Sequence, residues 1–124
     1  MNERNKKTLP KILVHINRIQ DYIKDVKSID DFDRDYLMKD AVVFNLLKTS
    51  ELSNKKLTED FKRMHGSILW MQIYGLRNRI VHDYDNIHSK MVYQTITNDL
   101  DELKKEIDGL LEKKNNMFKP LFVI

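Results

Sequence analysis

Apolar residues recur at spacings of three and four positions along most of this chain of 124 residues. This spacing places them on one side of an α-helix and differs from the alternation that a half-buried strand requires. The sequence has only three glycines and two prolines, so the turns of a multi-stranded sheet are scarce. The pattern therefore predicts an all-α protein.

Five helices account for the apolar pattern. The first is expected to have Thr8 as its N-cap and Pro10 in its first turn, with a buried stripe from Leu9 to Val26. The acidic segment "SIDDFDRD" then breaks the pattern, and a second helix runs from about Asp35 to Ser53. The remaining helices are a short third one with Leu57, Phe61 and Met64, a fourth from near Ser67 and a fifth from about Val92 to Leu110. The buried stripe of the fourth is predicted to consist of Leu69, Ile73, Leu76 and Ile80.

Short connections between these helices favour an up-and-down bundle of four or five helices. The length favours a single domain over residues 1–124.

The helical pattern ends near residue 113, and the apolar tail at about 114–124 contains Pro120. This tail is expected either to fold back onto the core or to reach a partner chain.

Composition excludes several classes of protein. There is no cysteine, which excludes disulfides and thiolate metal sites. The charged N-terminus and the absence of a long apolar run predict neither a signal peptide nor a membrane span, so a cytoplasmic location is expected. The net charge of +3 permits a polyanionic partner without establishing one.

The stretch "YGLRNRIVHDYDN", residues 74–86, is the main candidate for a functional site. Arg77, His82 and Tyr84 fit the spacing R-x4-H-x-Y. On a straight helix Arg77 and His82 point about 140° apart, whereas Asn78 and His82 share a face. Either the helix unwinds near His82, or a second copy of the chain supplies the other half of the site, as a two-fold dimer allows.

The residue types in this stretch suffice for cleaving RNA through its own 2′-hydroxyl. Histidine titrates near neutrality and suits His82 to proton transfer. The planar, always charged guanidinium of Arg77 matches phosphate oxygens, and Tyr84 can stack on a base or donate a hydrogen bond to phosphate. This reaction needs no metal ion.

Two other interpretations of the same residues stay open at this point. The first is an ordinary polar helix end, in which Arg79 pairs with Asp83 and His82 caps terminal carbonyls. The second is a metal site formed by His82, Asp83, Asp85 and His88, although their spacing matches no established metal signature.

Longer stretches of the sequence resemble a known family. "GLRNRIVHDYDNI" followed by "VYQTITNDLDELKKEI" resembles the HEPN-domain toxins of HEPN/MNT toxin–antitoxin pairs, the HepT-like ribonuclease family. The family's first helix is similar to "PKILVHINRIQDYIKD", its second to "KDAVVFNLLKTSEL", and its third and fourth to "LTEDFKRMHGSILWMQIYGLRNRIVHDY". The resemblance implies a HEPN bundle that dimerises through the motif-bearing helices. It also implies a metal-independent endoribonuclease toxin that acts on messenger or transfer RNA without a cofactor.

The resemblance also implies roles for individual residues. Arg77 would contact the scissile phosphate, His82 would be the acid/base or positioning group, and Asn78 would support the site. Tyr84 resembles an acceptor of AMP from a partner nucleotidyltransferase antitoxin. AMP attached there would add bulk and negative charge to the RNA groove.

Basic residues near the motif are candidates for binding RNA. Arg79 is the main one, since it neighbours the motif and is expected beside Arg77, with Lys62 and Arg63 as further candidates. The main rival function is a non-catalytic HEPN module that binds a nucleotide or a nucleotidyltransferase partner.

Overall fold

The computed structural model describes residues 2–65, 67–83 and 89–116, without the side chains of 67–69, 81–83 and 113–116. Within these ranges every regular element is helical and no strand occurs, which confirms the all-α prediction. None of these helices combines the length and apolarity that crossing a membrane requires. The elements are α1 (Glu3–Tyr22), α2 (Ile29–Arg34), α3 (Tyr36–Lys56), α4 (Glu59–Met64), α5 (Ser67–Asp83), α6 (Ser89–Gln94), a π-helical turn (Thr95–Asp99) and α7 (Leu100–Asn116).

Helix α3 is the central helix of the bundle. It packs against α1 and against α5, while α7 packs on α1 and α6 packs on α2. This agrees with the apolar centre of α3, where Val42, Val43 and Leu46 are all buried. The core is one cluster of buried side chains to which every helix contributes. Each large aliphatic side chain buried in it stabilises the fold by roughly 1.5–3 kcal/mol relative to exposure.

The start of α1 differs from the prediction. Asn2 is the N-cap, and its side chain accepts a hydrogen bond of 2.8 Å from the backbone N–H of Asn5. Thr8 was predicted as the N-cap, and this was wrong: it lies inside the helix, where its hydroxyl donates to the Arg4 carbonyl at 2.7 Å. Pro10 also lies in the helix interior, where it lacks the N–H that would bond four residues back.

The acidic segment does more than interrupt the helical pattern, because most of it forms α2. Ser28 caps this helix, and Asp31 lies in its first turn, where a carboxylate is favoured by the helix dipole. Phe32 is fully buried, and its ring stacks on Tyr93 of α6 at 5.9 Å between centroids. Asp35 caps α3 by accepting from the N–H of Met38 at 3.0 Å, as the predicted start implies.

The third predicted helix is shorter than expected, and the fifth contains a π-turn. Helix α4 begins at Glu59 after its N-cap Thr58, and Met64 is 76% exposed instead of packed. In the fifth, Val92, Ile96 and Leu100 are spaced by four, which drifts by about 40° per step on a regular α-helix. The wider π-turn over Thr95–Asp99 offsets this drift, and all three side chains stay buried. Helix α7 extends to Asn116, into the predicted tail, and residues 117–124 lie outside the described part.

Candidate active site on α5

The rotation of α5 about its axis is fixed by its buried side. Ile73, Leu76 and Ile80 are each at most 5% exposed, as the predicted stripe requires, and Trp70 is buried beside them at 4%. Leu69, also part of the predicted stripe, lies outside the described side chains. Because this side faces the core, residues 71, 75, 78 and 82 occupy the opposite, outer face of the helix.

Arg77 and Asn78 are brought together by a direct hydrogen bond. The Arg77 Nη1 donates to the Asn78 Oδ1 at 3.2 Å, and both side chains are half-buried. A guanidinium held by a neutral amide keeps its full charge and still has four N–H donors for another acceptor. The pair therefore has the chemistry to bind a phosphate oxygen.

Within one chain, the Arg79 side chain does not lie next to the Arg77 side chain. It projects about 200° away from Arg77 around the helix, and its Nη1 is 3.1 Å from the Met91 sulfur of α6. The two arginines therefore occupy opposite flanks of α5, and the expectation that both line one side of the site is not met within one chain. Sequence reasoning missed this because it placed Arg79 by its neighbourhood in the sequence.

The second half of the motif is described only in part. The backbone of His82 lies within α5, five residues after Arg77, so the helix stays regular through this position. The His82 side chain and all of Tyr84 lie outside the described residues, as do the other proposed metal ligands Asp83, Asp85 and His88. Among the side chains that are described, no group of three or more His, Asp or Glu is arranged to hold a metal ion.

The chain that follows the motif is attached to the bundle at Ser89, the first residue of α6. Its hydroxyl donates a short hydrogen bond to the Asp33 carboxylate of α2. The Lys39 ammonium donates to the same carboxylate at 2.8 Å and to the Ser89 hydroxyl at 3.1 Å. These hydrogen bonds, that of Lys39 above all, lower the pKa of Asp33 from its ordinary value. The cluster thus holds the start of α6 against α2 and α3.

A groove of about 360 Å³ opens between α3, α4 and α5. We call it the α4–α5 groove. Its lining includes Asn54, Lys62, Arg63, Trp70, Met71 and Tyr74. Trp70 and Arg77 are seven residues apart and project from α5 in nearly the same direction, with Tyr74 between them. Neither aromatic residue was given a role from the sequence, and this spacing of four and three before Arg77 is the signal that identifies them.

A smaller cleft lies on the other side of α3, against α1. Glu51 lines this cleft with His15 and pairs with Lys48 at 3.7 Å. The His15 Nδ1 is hydrogen-bonded to the Asn45 Oδ1 at 2.8 Å. These contacts direct Glu51 and His15 toward the α1–α3 seam, so neither joins Arg77.

Comparisons with known proteins agree with this architecture. The family model described as "Ribonuclease HepT-like" matches residues 12–110, so the chain belongs to the HepT-like ribonuclease family. "Putative RNase TTE0752" of Caldanaerobacter subterraneus subsp. tengcongensis is 30% identical over 87 residues, which are 70% of this chain and 77% of that protein.

A second relative is the "Probable ribonuclease HepT" of Thermococcus cleftensis. It is 24% identical over 104 residues, which cover 77% of this chain and 94% of the relative. No solved structure matches the chain significantly.

Proposed function

We propose that this protein is a metal-independent endoribonuclease toxin that cleaves messenger or transfer RNA. The observation that carries the proposal is the half-buried Arg77–Asn78 pair, which lies on α5 just before His82 in a chain of the HepT-like ribonuclease family. The names of the relatives as ribonucleases support the same reaction class. We take residues 1–124 as one domain that acts in the cytoplasm, where those RNAs are found.

The proposed chemistry divides the work between two residues. Arg77 binds the scissile phosphate and stabilises the charge that builds on its oxygens as the 2′-hydroxyl attacks. His82 moves a proton, either from the attacking hydroxyl or to the leaving 5′-oxygen. Asn78 holds the guanidinium in place, and Arg79 and Tyr84 contact neighbouring parts of the RNA.

A homodimer completes the site in this proposal. Arg77 and His82 project about 140° apart on one regular helix, which makes one chain poorly suited to hold both on one phosphate. The outer face of α5 has features of an interface between copies: Met71 is 73% exposed, and a Cβ placed on Gly75 meets nothing within 4 Å. A glycine inside a helix costs about 1 kcal/mol relative to alanine. Close approach of α5 from a second copy of the chain explains why a glycine stands at position 75.

Neutralisation by a nucleotidyltransferase antitoxin is the other part of the proposal. The antitoxin transfers AMP from ATP to the Tyr84 hydroxyl, which loses its proton as pyrophosphate leaves, and the added phosphate repels RNA from Arg77. Tyr84→Phe is then expected to cleave RNA but to gain no mass when it is incubated with the antitoxin and ATP. Mass gain by that variant would contradict this role of Tyr84.

The test of the function is cleavage of end-labelled RNA in the presence of chelator. The wild type is expected to release products and His82→Ala to release none, with equal helicity by circular dichroism. Products from both proteins would contradict the assignment of His82, and no product from either would favour a non-catalytic binding module.

A further inference from the structure

We propose that the α4–α5 groove binds one nucleobase of the RNA, next to the phosphate held by Arg77. The inference rests on the proposed function and adds to it a base-binding subsite within one chain. Its starting point is the alignment of Trp70, Tyr74 and Arg77 along one flank of α5. At 1.5 Å per residue, Trp70 and Arg77 lie about 10 Å apart along the helix, a distance that one nucleotide can bridge.

The groove has a fixed floor and an accessible aromatic ring at its mouth. Trp70 is 4% exposed, and its indole N–H donates to the His65 carbonyl at 2.5 Å, which holds the ring in place. Tyr74 is 43% exposed and free to stack on a ligand. Stacking on aromatic side chains is a common way to hold an unpaired base, because every base offers a π-face.

The charges around the groove favour a base over a second phosphate. Lys62 is paired with Glu59 at 2.9 Å, and Arg63 is paired with Asp60. A phosphate bound at either cation would therefore compete with a carboxylate. The lining contains two cations and one carboxylate, since Glu59 borders the groove and Asp60 does not. This slight excess of positive charge suits an RNA strand, while the strong phosphate contact stays at Arg77.

Polar groups at the rim can recognise the edge of the base. The exposed Asn54 carries an amide donor and acceptor, which can pair with the edge of a base that is not in a duplex. Ser53 also borders the groove, but its hydroxyl already donates to the Ser50 carbonyl at 2.9 Å. Asn54 is therefore the residue that would set any base preference.

The test uses the protein's single tryptophan, which is Trp70 itself. Short single-stranded oligoribonucleotide is titrated into the full-length His82→Ala protein, and Trp70 emission and the anisotropy of end-labelled RNA are both recorded. We expect the RNA to quench Trp70 emission. An abasic sugar-phosphate chain of the same length is expected to bind more weakly and to leave the emission unchanged.

Variants at Tyr74 make the test specific. In the same background, Tyr74→Ala is expected to weaken RNA binding at least about fivefold, and Tyr74→Phe, which keeps the ring, to bind like its parent. Tyr22→Ala is the matched control, because Tyr22 is 40% exposed and lies at the end of α1, outside the groove lining. It is expected to leave binding unchanged.

Several results would overturn the inference. One is binding of RNA, measured by anisotropy, that leaves Trp70 emission unchanged. Another is binding of RNA by Tyr74→Ala as tightly as by its parent. Trp70 emission that depends on protein concentration without RNA would assign the groove to a second copy. If the wild type cleaves RNA but RNA changes neither Trp70 emission nor its dependence on Tyr74, only the proposed base site in the groove fails. If RNA is neither bound nor cleaved, the proposed function fails as well.

Discussion

The Arg77 guanidinium donates to the Asn78 side chain at 3.2 Å, although the two residues are neighbours on α5. Consecutive side chains on a helix project about 100° apart, so this bond requires the long arginine side chain to curve around the helix. It holds the guanidinium beside Asn78 and so sets the position on α5 at which a phosphate would be bound.

Replacing Asn78 tests whether this orientation matters for catalysis. Asn78→Ala removes the acceptor, and we expect kcat/KM for RNA to fall about tenfold or more, as loss of a hydrogen bond to a charged group implies. The control is Asn17→Ala, an exposed asparagine on α1, which should change nothing. Cleavage by Asn78→Ala at the wild-type rate would show that Arg77 needs no such support.

The outer face of α5 is the proposed interface between two copies. Met71→Asp places a charge there, and burying an unpaired carboxylate in an interface is strongly unfavourable. We expect this variant to sediment as a monomer; sedimentation is the readout, because Met71 also borders the α4–α5 groove and a change in RNA cleavage would not separate the two roles. Met64→Asp is the matched control, since Met64 on α4 is 76% exposed against 73% for Met71. Sedimentation of Met71→Asp as a dimer would contradict the proposed interface.

The hydrogen bonds of Asp33 predict a pH-dependent contribution to stability. Its pKa is lowered in the folded state, so the contribution is complete above the ordinary value of 3.8 and is lost as the pH falls through the lowered folded pKa. Asp33→Asn is therefore expected to lower the melting temperature slightly at pH 7 and to match the wild type in strong acid. The measurement is thermal unfolding across the acid range, with the exposed Asp25→Asn as the control.

Ser50 provides a second prediction about stability. Its hydroxyl is buried in α3 and has no hydrogen-bond partner within the described residues, which is unfavourable for a polar group. Ser50→Ala removes the hydroxyl and improves helix propensity, so the free energy of unfolding should rise by about 1 kcal/mol. Ser53→Ala is the control, because its hydroxyl donates to the Ser50 carbonyl, and it should not stabilise. Chemical denaturation measures both, and a less stable Ser50→Ala would reveal a partner for the hydroxyl.

Local signals in the sequence explain which parts of the fold were predictable. The start of α5 and the buried positions of Ile73, Leu76 and Ile80 follow from apolar spacing, which also fixes the side of the helix that faces solvent. The start of α1 was misplaced because Thr8 and Pro10 together imitate a helix start, while Asn2 provides an earlier cap.

The candidate site was predictable only as a set of residues. The sequence pattern identified Arg77 and Asn78 as candidates. Their contact depends on the conformation of the long Arg77 side chain, which residue spacing does not predict. The direction of Arg79 likewise depends on α6, which reaches α5 only after the chain has folded. The π-turn was not foreseen, because a spacing of four is also compatible with an α-helix.

Mixing Arg77→Ala chains with His82→Ala chains is the sharpest test of the proposed composite site, because each variant alone is expected to be inactive. Arg77→Ala and His82→Ala are purified, each is checked for folding and dimerisation, and the two are mixed under conditions that let subunits exchange. If each site takes Arg77 from one chain and His82 from its partner, half of the dimers are mixed and each of these has one intact site. We therefore expect RNA cleavage to return to about one quarter of the wild-type level. A mixture that exchanges subunits but cleaves no more RNA than its inactive components would contradict it.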